Sequence, residues 1–424
     1  IIKIMKSDLN NLIIDYFPSP NGDNEELLKL LHQTSKIICD WFAVSENLSP
    51  LPQNLTKIIS EPTELGCEIK MLLDDINSLI YSSFNPSHPG SLAHLDPPPL
   101  TISIVGDLVA GALNNNLLAE ELSPSISVIE NDLCKWFASE VGFGNSSGGI
   151  AASGGTLNNL NALVCAKFNS GLTFEPEASF IISEDAHVSF KKCARILGVK
   201  DENLISIGTD NYGKMDISLL NNEIKKSKSL GKKIFSIVAT FGTTIRGSID
   251  PIYEIGTICK HNNIWLHIDG SIGGIFAISN YKFQNINEIN KLNIANSITI
   301  NPQKILGITK TSSLLLVDDI NKLKKTFSTG LPYIDSTEDV LNRGELGVQG
   351  SRPAEIIKLW LGLKFLGKNG IDNILSSSIR KKFLFENILD KDKFYIYSGS
   401  LHIISFEPKN MNTNQINTWS LKLK

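Results

Sequence analysis

Hydrophobic and polar positions change their period along the chain. Within residues 25–42, Leu27, Leu28, Leu31, Ile37, Ile38 and Phe42 recur at roughly helical spacing, and the first ~80 residues read as helices. Asn85-Pro86-Ser87-His88-Pro89-Gly90 and then Asp96-Pro97-Pro98-Pro99 cannot continue a helix, so the first boundary falls there. From about residue 100 to 320 short apolar runs alternate with helical stripes. Leu157, Leu160, Leu163, Val164 and Phe168 form one stripe after a glycine-rich turn. Phe180-Ile181-Ile182, residues 234–239, residues 264–268, Ser297-Ile298-Thr299-Ile300 and Leu314-Leu315-Leu316-Val317 are strand-length and mostly apolar throughout, the mark of strands buried on both faces. Asp250-Pro251 predicts a helix start with a capping side chain and a first-turn proline, and Ile252, Ile255 and Cys259 then share a face. Strands alternating with helices predict a mostly parallel α/β sheet. A helix over residues 354–366, then Gly370, then a strand over 401–406 predict a small α+β domain. The expected divisions are 1–97, helical; 98–350, the large α/β domain; and 351–424, the small C-terminal domain.

Composition narrows the class. The chain has 424 residues, 42% hydrophobic and 20% charged, and is long enough to bury a core without metal or disulfide staples. Forty Lys and Arg stand against 44 Asp and Glu, a net charge of -4, with no basic stripe, which argues against a nucleic-acid partner. The run Lys225-Lys226-Ser227-Lys228 reads as a solvated helix end. Six cysteines lack both Cys-x-x-Cys pairs and zinc-site spacing, so they are expected as reduced thiols in a cytoplasmic protein. No secretory core follows Ile1, no run of about 18 apolar residues spans a membrane, and Met5 is the expected natural start.

Four local clusters carry candidate chemistry, each with a plainer alternative. Ser153-Gly154-Gly155-Thr156, directly before a helix, is either an ordinary glycine turn or an anion cradle of free N–H groups. Asp185-Ala186-His187-Val188-Ser189 follows a strand; its histidine is a base, a ligand, a stacking group or a satisfied structural residue. Asp269 ends the strand Trp265-Leu266-His267-Ile268-Asp269, and a carboxylate leaving a buried strand needs a cation. His267 alternates with it, but no third ligand is placed for a metal, and none is expected. Asn301-Pro302-Gln303-Lys304 sets a lysine at another strand end, either a surface amine or a Schiff-base nucleophile. Together, a phosphate cradle, a stacking group, a buried carboxylate and a lysine are what pyridoxal phosphate requires.

On these residues the chain resembles the group II pyridoxal-phosphate-dependent amino-acid decarboxylases, which share the aspartate-aminotransferase type I fold. The segments that carry the resemblance are His88-Pro89-Gly90, Ser123-Pro124, Gly154-Gly155-Thr156-Leu157-Asn158-Asn159-Leu160, Asp185-Ala186-His187, Gly242-Thr243-Thr244 with Gly247-Ser248-Ile249-Asp250-Pro251, Trp265-Leu266-His267-Ile268-Asp269, Asn301-Pro302-Gln303-Lys304, and Ser351-Arg352 leading to Lys358-Leu359-Trp360. They keep the family's order, and the version with Asp96-Pro97-Pro98-Pro99 is most similar to a bacterial, cyanobacterial-like subgroup. The resemblance implies pyridoxal 5'-phosphate as cofactor, an L-amino acid as substrate, CO2 and an amine as products through external aldimine and quinonoid intermediates, and a homodimer with its sites at the interface. It implies that Lys304 holds the cofactor, His187 stacks on its ring, and Asp269 pairs with its ring nitrogen. Gly155, Thr156, Asn301 and Gln303 would contact the phosphate, and Thr244 would lie beside the ring. His88, within residues 84–88, and Arg352 are the candidates near substrate.

Three departures stand beside the resemblance. Gln303 occupies a position where relatives commonly carry histidine. The window 334–349 holds no tyrosine to protonate Cα, and Tyr333 lies just before it. The chain stops at Lys424, where relatives continue. Another lyase or aldehyde-forming enzyme on the same scaffold, and a non-catalytic protein that binds the cofactor, stay open as alternatives.

Overall fold

The computed structural model describes residues 17–422 except 21, 53–59, 63, 65, 93, 282, 284–285 and 331–341. Contacts divide the chain into two units, 1–94 (with Lys424) and 95–423. In the first, α1 (Glu25–Val44) and α2 (Ile69–Tyr81) form where the apolar spacing predicts helix. Neither helix buries a residue, and Leu28, Ile69, Met71 and Leu79 of their apolar faces are exposed.

The second unit is built on a seven-stranded sheet: β1 (Gly148–Ala152), β2 (Ala178–Ser183), β3 (Leu204–Ile207), β4 (Lys233–Thr240), β5 (Trp265–Gly270), β6 (Ser297–Ile300) and β7 (Ser313–Val317). Their order is β1-β7-β6-β5-β4-β2-β3. All neighbours are parallel except β7, which opposes both β1 and β6. This is the type I architecture, a mostly parallel sheet with helices on its faces. The helices are α3 (Thr101–Leu113), α4 (Pro124–Glu140), α5 (Gly155–Asn169), α6 (Ser189–Ile196), α7 (Ile217–Ser229), α8 (Ile252–Asn262) and α9 (Ile320–Phe327). A small antiparallel pair, β8 (Phe394–Ser398) and β9 (Ile404–Pro408), follows the long helix α10 (Ile356–Ile388) and precedes α11 (Thr413–Lys422).

Both sheet faces are covered, so the strands need apolar side chains on each. Ile237, Ala239, Leu266, Ile268, Ile298, Ile300, Leu314 and Leu316 pack into one core. Val238, Trp265, Leu315 and Val317 pack into the other, beneath α5 and α6. Burying one such side chain contributes roughly 1.5–3 kcal/mol. The second face also carries polar residues, among them His267, Asp269, Ser297 and Thr299, all buried.

Four local expectations change. β1 reads Gly-Gly-Ile-Ala-Ala, without the β-branched run that marks a strand, and is held by its register against β7. Asp250 does not cap α8, whose preceding residue Pro251 makes no side-chain cap bond. Its two carboxylate oxygens instead accept from the backbone N–H groups of Met215 and Thr240, each at 2.7 Å. The C-terminal helix runs on past residue 366 to Ile388, interrupted at Gly367 with φ 58°. Strand β9 starts at Ile404, leaving Leu401, His402 and Ile403 in the bend before it.

Candidate active site

Parallel strands deliver their carboxyl ends to one edge of a sheet, and the loops that follow line a crevice there. Here β1 runs in the same direction as β6, since both oppose β7. The turn after β1 therefore joins the loops after β2, β4, β5 and β6 around one cavity of about 230 Å³. Gly155, Thr156, His187 and Thr244 line it from the first three of these connections. Asp269, Asn301, Gln303 and Lys304 line it from the last two. The four clusters read from the sequence thus meet in one place.

The turn Ser153-Gly154-Gly155-Thr156 opens α5. Gly154 sits at φ 93°, a conformation that disfavours side chains. A Cβ on Gly155 would lie 2.7 Å from Ser271 Oγ and 2.8 Å from Asn301 Nδ2, so glycine is what keeps this cradle open. The first N–H groups of a helix have no intrahelical partner, and they favour negative charge. Asn301 is oriented by its oxygen: Oδ1 accepts from Ser313 Oγ at 2.6 Å, and Ser313 Oγ accepts from Asn158 Nδ2 at 2.7 Å. Its amide nitrogen is thereby left as a donor to the cradle.

Asp269 is 5% exposed. Oδ2 accepts from Asn159 Nδ2 at 3.1 Å and Oδ1 from the backbone N–H of Ser271 at 3.1 Å. Both donors are neutral, and no salt bridge among the described residues involves Asp269. Its charge raises Cys193, a thiol that burial has already pushed up, to about 12. A buried carboxylate facing a cavity without a cation is a place made for one.

His187 is exposed at the cavity, and its Nδ1 faces Ser189, with the Ser189 N–H donating at 3.3 Å. That bond assigns the neutral ring's proton to Nε2. Lys304 ends a 3-10 turn after β6, and among the described residues its Nζ makes no hydrogen bond or ion pair. Gln303 Oε1 accepts from the Ser312 N–H at 2.6 Å, tying the turn to the start of β7. Thr244 is exposed at the cavity mouth.

Arg352 does not line the cavity. Arg352 is buried, and both terminal nitrogens of its guanidinium donate to Glu130, one at 2.7 Å to Oε2. His88 belongs to the first unit, where its Nδ1 accepts from Gly90 N–H at 2.9 Å. Tyr333 and residues 334–341 of the tyrosine-free window fall outside the described residues.

Sequence reasoning missed three groups. Asn159, in the segment after the glycine turn, falls one helical turn after Gly155 and so faces the same way. Thr240 lines the cavity with its hydroxyl buried and, among the described residues, unpartnered. His402 is held neutral near Lys304: burial, then that lysine's positive charge, lower it to about 4, and its Nδ1 is buried without a partner. Nothing in the local pattern of the bend before β9 signals that placement.

These residues fit pyridoxal 5'-phosphate. The glycine-lined cradle with donors suits its phosphate, and the uncompensated Asp269 suits its ring nitrogen. The amine of Lys304 suits its aldehyde.

Comparison with known proteins agrees. Residues 52–407 match the pyridoxal-dependent decarboxylase conserved domain. The aromatic-L-amino-acid decarboxylase of Bacillus atrophaeus is 29% identical over 420 residues, covering 94% of this chain and 86% of that protein. The acidic amino acid decarboxylase GADL1 of Xenopus tropicalis is 29% identical over 429 aligned positions, covering 96% and 80%. Among solved structures, mouse CSAD in apo form superposes with a TM-score of 0.82 at 24% identity, covering 95% and 88%. Oryza sativa TDC with PLP and tryptamine does so at 0.84 and 19%, covering 96% and 89%; both likenesses bear on the fold. The chain belongs to the pyridoxal-dependent decarboxylase family, as an amino-acid carboxy-lyase whose cofactor is pyridoxal 5'-phosphate.

Proposed function

We propose that this chain removes the α-carboxylate of an L-amino acid and releases CO2 and the corresponding amine, using Lys304, His187 and Asp269 as its catalytic residues. The observation that carries the reading is the pairing, in one cavity, of a buried carboxylate lacking a cation with a lysine amine lacking an anion. Bound pyridoxal phosphate supplies an electron sink for the pair left at Cα when CO2 departs. Asp269, oriented by Asn159 and Ser271, would pair with the ring nitrogen. Lys304 is the amine that would hold the cofactor's aldehyde, and His187 would stack on the ring. Gly155 and Thr156 at the start of α5, with the Asn301 amide, anchor the phosphate; Gln303 acts mainly on the turn that presents Lys304. Thr244 would lie beside the ring.

The same reading makes the working form a homodimer. Val105, Leu108 and Leu113 of α3 are exposed, as are the apolar faces of α1 and α2, and such faces are normally covered. Six unpaired thiols support a cytoplasmic site of action. The separate β8–β9 sheet supports treating 351–424 as a C-terminal domain after 1–97 and 98–350. Among the described residues no helix is long and apolar enough to cross a membrane.

The experiment is a panel of aromatic, acidic and diamino L-amino acids, with CO2 and amine measured together. Equal yields of both from one substrate class are expected, and Lys304→Ala should abolish them. Borohydride treatment of the loaded chain followed by peptide mapping should mark Lys304; a label on another lysine overturns the assignment. Aldehyde in place of amine would move the chain to an aldehyde-forming reaction.

A further inference from the structure

Alternation along β5 sends Trp265, His267 and Asp269 to the same face of the sheet, beneath α5. In the β5–β6 register His267 lies opposite Ser297, so these two side chains are neighbours on that face. α5 contributes Asn159. All five side chains are more than nine-tenths buried. They form a continuous series: Trp265 Nε1 to Ser297 Oγ at 2.8 Å, Ser297 Oγ to His267 Nδ1 at 2.9 Å, His267 Nε2 to Asn159 Oδ1 at 3.1 Å, and Asn159 Nδ2 to Asp269 Oδ2 at 3.1 Å.

The two ends fix every proton between them. An ionised carboxylate only accepts, so Asn159 must present its NH2 to Asp269 and its oxygen to His267. That oxygen only accepts, so His267 Nε2 carries a proton. Burial holds His267 well below the usual histidine value, so the ring is neutral and its Nδ1 is bare. Nδ1 therefore accepts from the Ser297 hydroxyl. The indole N–H, which only donates, completes Ser297. Every bond points toward Asp269, and successive bonds of this kind polarise one another.

We propose that Asn159 and His267 are positioning residues, a one-way hydrogen-bond relay that holds the Asp269 carboxylate turned toward the cofactor's ring nitrogen. The proposal rests on the reading of Asp269 given above. Without a donor at 267, the Asn159 oxygen loses its buried partner and only the bond to Asp269 still orients the amide, so the donor to the carboxylate is held less firmly. Position 267 is fully buried, and both ring nitrogens of its histidine have hydrogen-bond partners.

The test uses the full chain, stripped of cofactor and reloaded with either pyridoxal phosphate or its 1-deaza analogue, in which carbon replaces the ring nitrogen. The dissociation constant of each is measured by tryptophan fluorescence and absorbance. His267→Phe should weaken pyridoxal phosphate by about tenfold, the worth of one hydrogen bond to a charge. The deaza analogue has no ring nitrogen to pair, so its affinity should stay within about twofold of the unmodified chain's. Asn159→Leu should show the same selectivity, and His267→Gln, which restores a donor toward Asn159, should recover most of the loss. Ser297→Ala, a smaller change at the outer end, should give a weaker selective loss and serves where His267→Phe does not fold. Equal weakening of both cofactors would overturn the relay and leave His267 a packing residue. Asp269→Ala separates the two failures. If it weakens pyridoxal phosphate and spares the deaza analogue while the relay variants weaken both equally, only the relay falls. If it too weakens both equally, the reading of Asp269 falls with it.

Discussion

Glu130 and Asp269 are both carboxylates buried in the same unit, and their surroundings are opposite. Glu130 on α4 accepts from Arg343 Nε at 3.0 Å and from both terminal nitrogens of Arg352. Burial alone would raise its pKa, but the two guanidiniums outweigh burial and hold it below the usual carboxylate range. Its charge is settled within the chain. Asp269 receives an amide and a backbone N–H, donors that carry no compensating charge. A charge compensated internally ties elements together, here α4 to the residues after position 341. A charge left uncompensated at a cavity creates affinity for a cation from outside.

Two substitutions would break this comparison if it is wrong. Asp269→Asn should lower the decarboxylation rate by about a thousandfold, the scale of losing one preorganised electrostatic partner, while shifting the unfolding midpoint little. Steady-state kinetics beside thermal unfolding check both halves; a large stability loss with modest kinetic loss would make Asp269 a structural residue. Glu130→Gln should do the reverse. It strands two buried guanidiniums and should cost about 3 kcal/mol or more of stability, read from denaturant unfolding. Activity per folded molecule should be retained, and a selective collapse of activity would place Glu130 in the site.

The contrast also explains what was legible in the sequence. His187, Asp269 and Lys304 each sit at or just past the end of an apolar strand, so a local pattern marks them, and the shared edge of a parallel sheet gathers the patterns. The fold class followed from the same alternation. Glu130, Arg343 and Arg352 are separated by 213 and 222 residues along the chain, and only tertiary packing brings them together. On its own, Glu130 in a helix reads as a solvated residue, and Arg352 reads as a free cation for substrate. Asp250 misled for a related reason: an aspartate before Pro251 has the pattern of a helix cap, yet its carboxylate serves the backbone of two other segments. The bond that orients Asn159 depends on how α5 crosses β5, which no periodicity encodes.

Acid sharpens the comparison further, because the two environments lose stability in different pH windows. His267, part of the Asp269 side, is neutral in the fold, its pKa lowered by burial from an ordinary 6.5. As pH falls below 6.5 the unfolded chain takes up a proton that the folded ring refuses, so stability drops from that point downward. His402, lowered from 6.5 to about 4, acts in the same direction across that interval. Glu130 is a depressed acid, so its contribution is intact above 4.5 and declines only below that value. Each histidine should add up to about 1.4 kcal/mol of lost stability per pH unit. Unfolding midpoints between pH 7 and 5 should therefore slope downward in the unmodified chain. The slope should flatten in His267→Gln, which has no proton to take up, and remain unchanged in Glu130→Gln despite that variant's lower absolute stability. A slope that Glu130→Gln removes and His267→Gln leaves intact would mean that the internally compensated carboxylate, and not the neighbourhood of Asp269, governs behaviour near neutral pH.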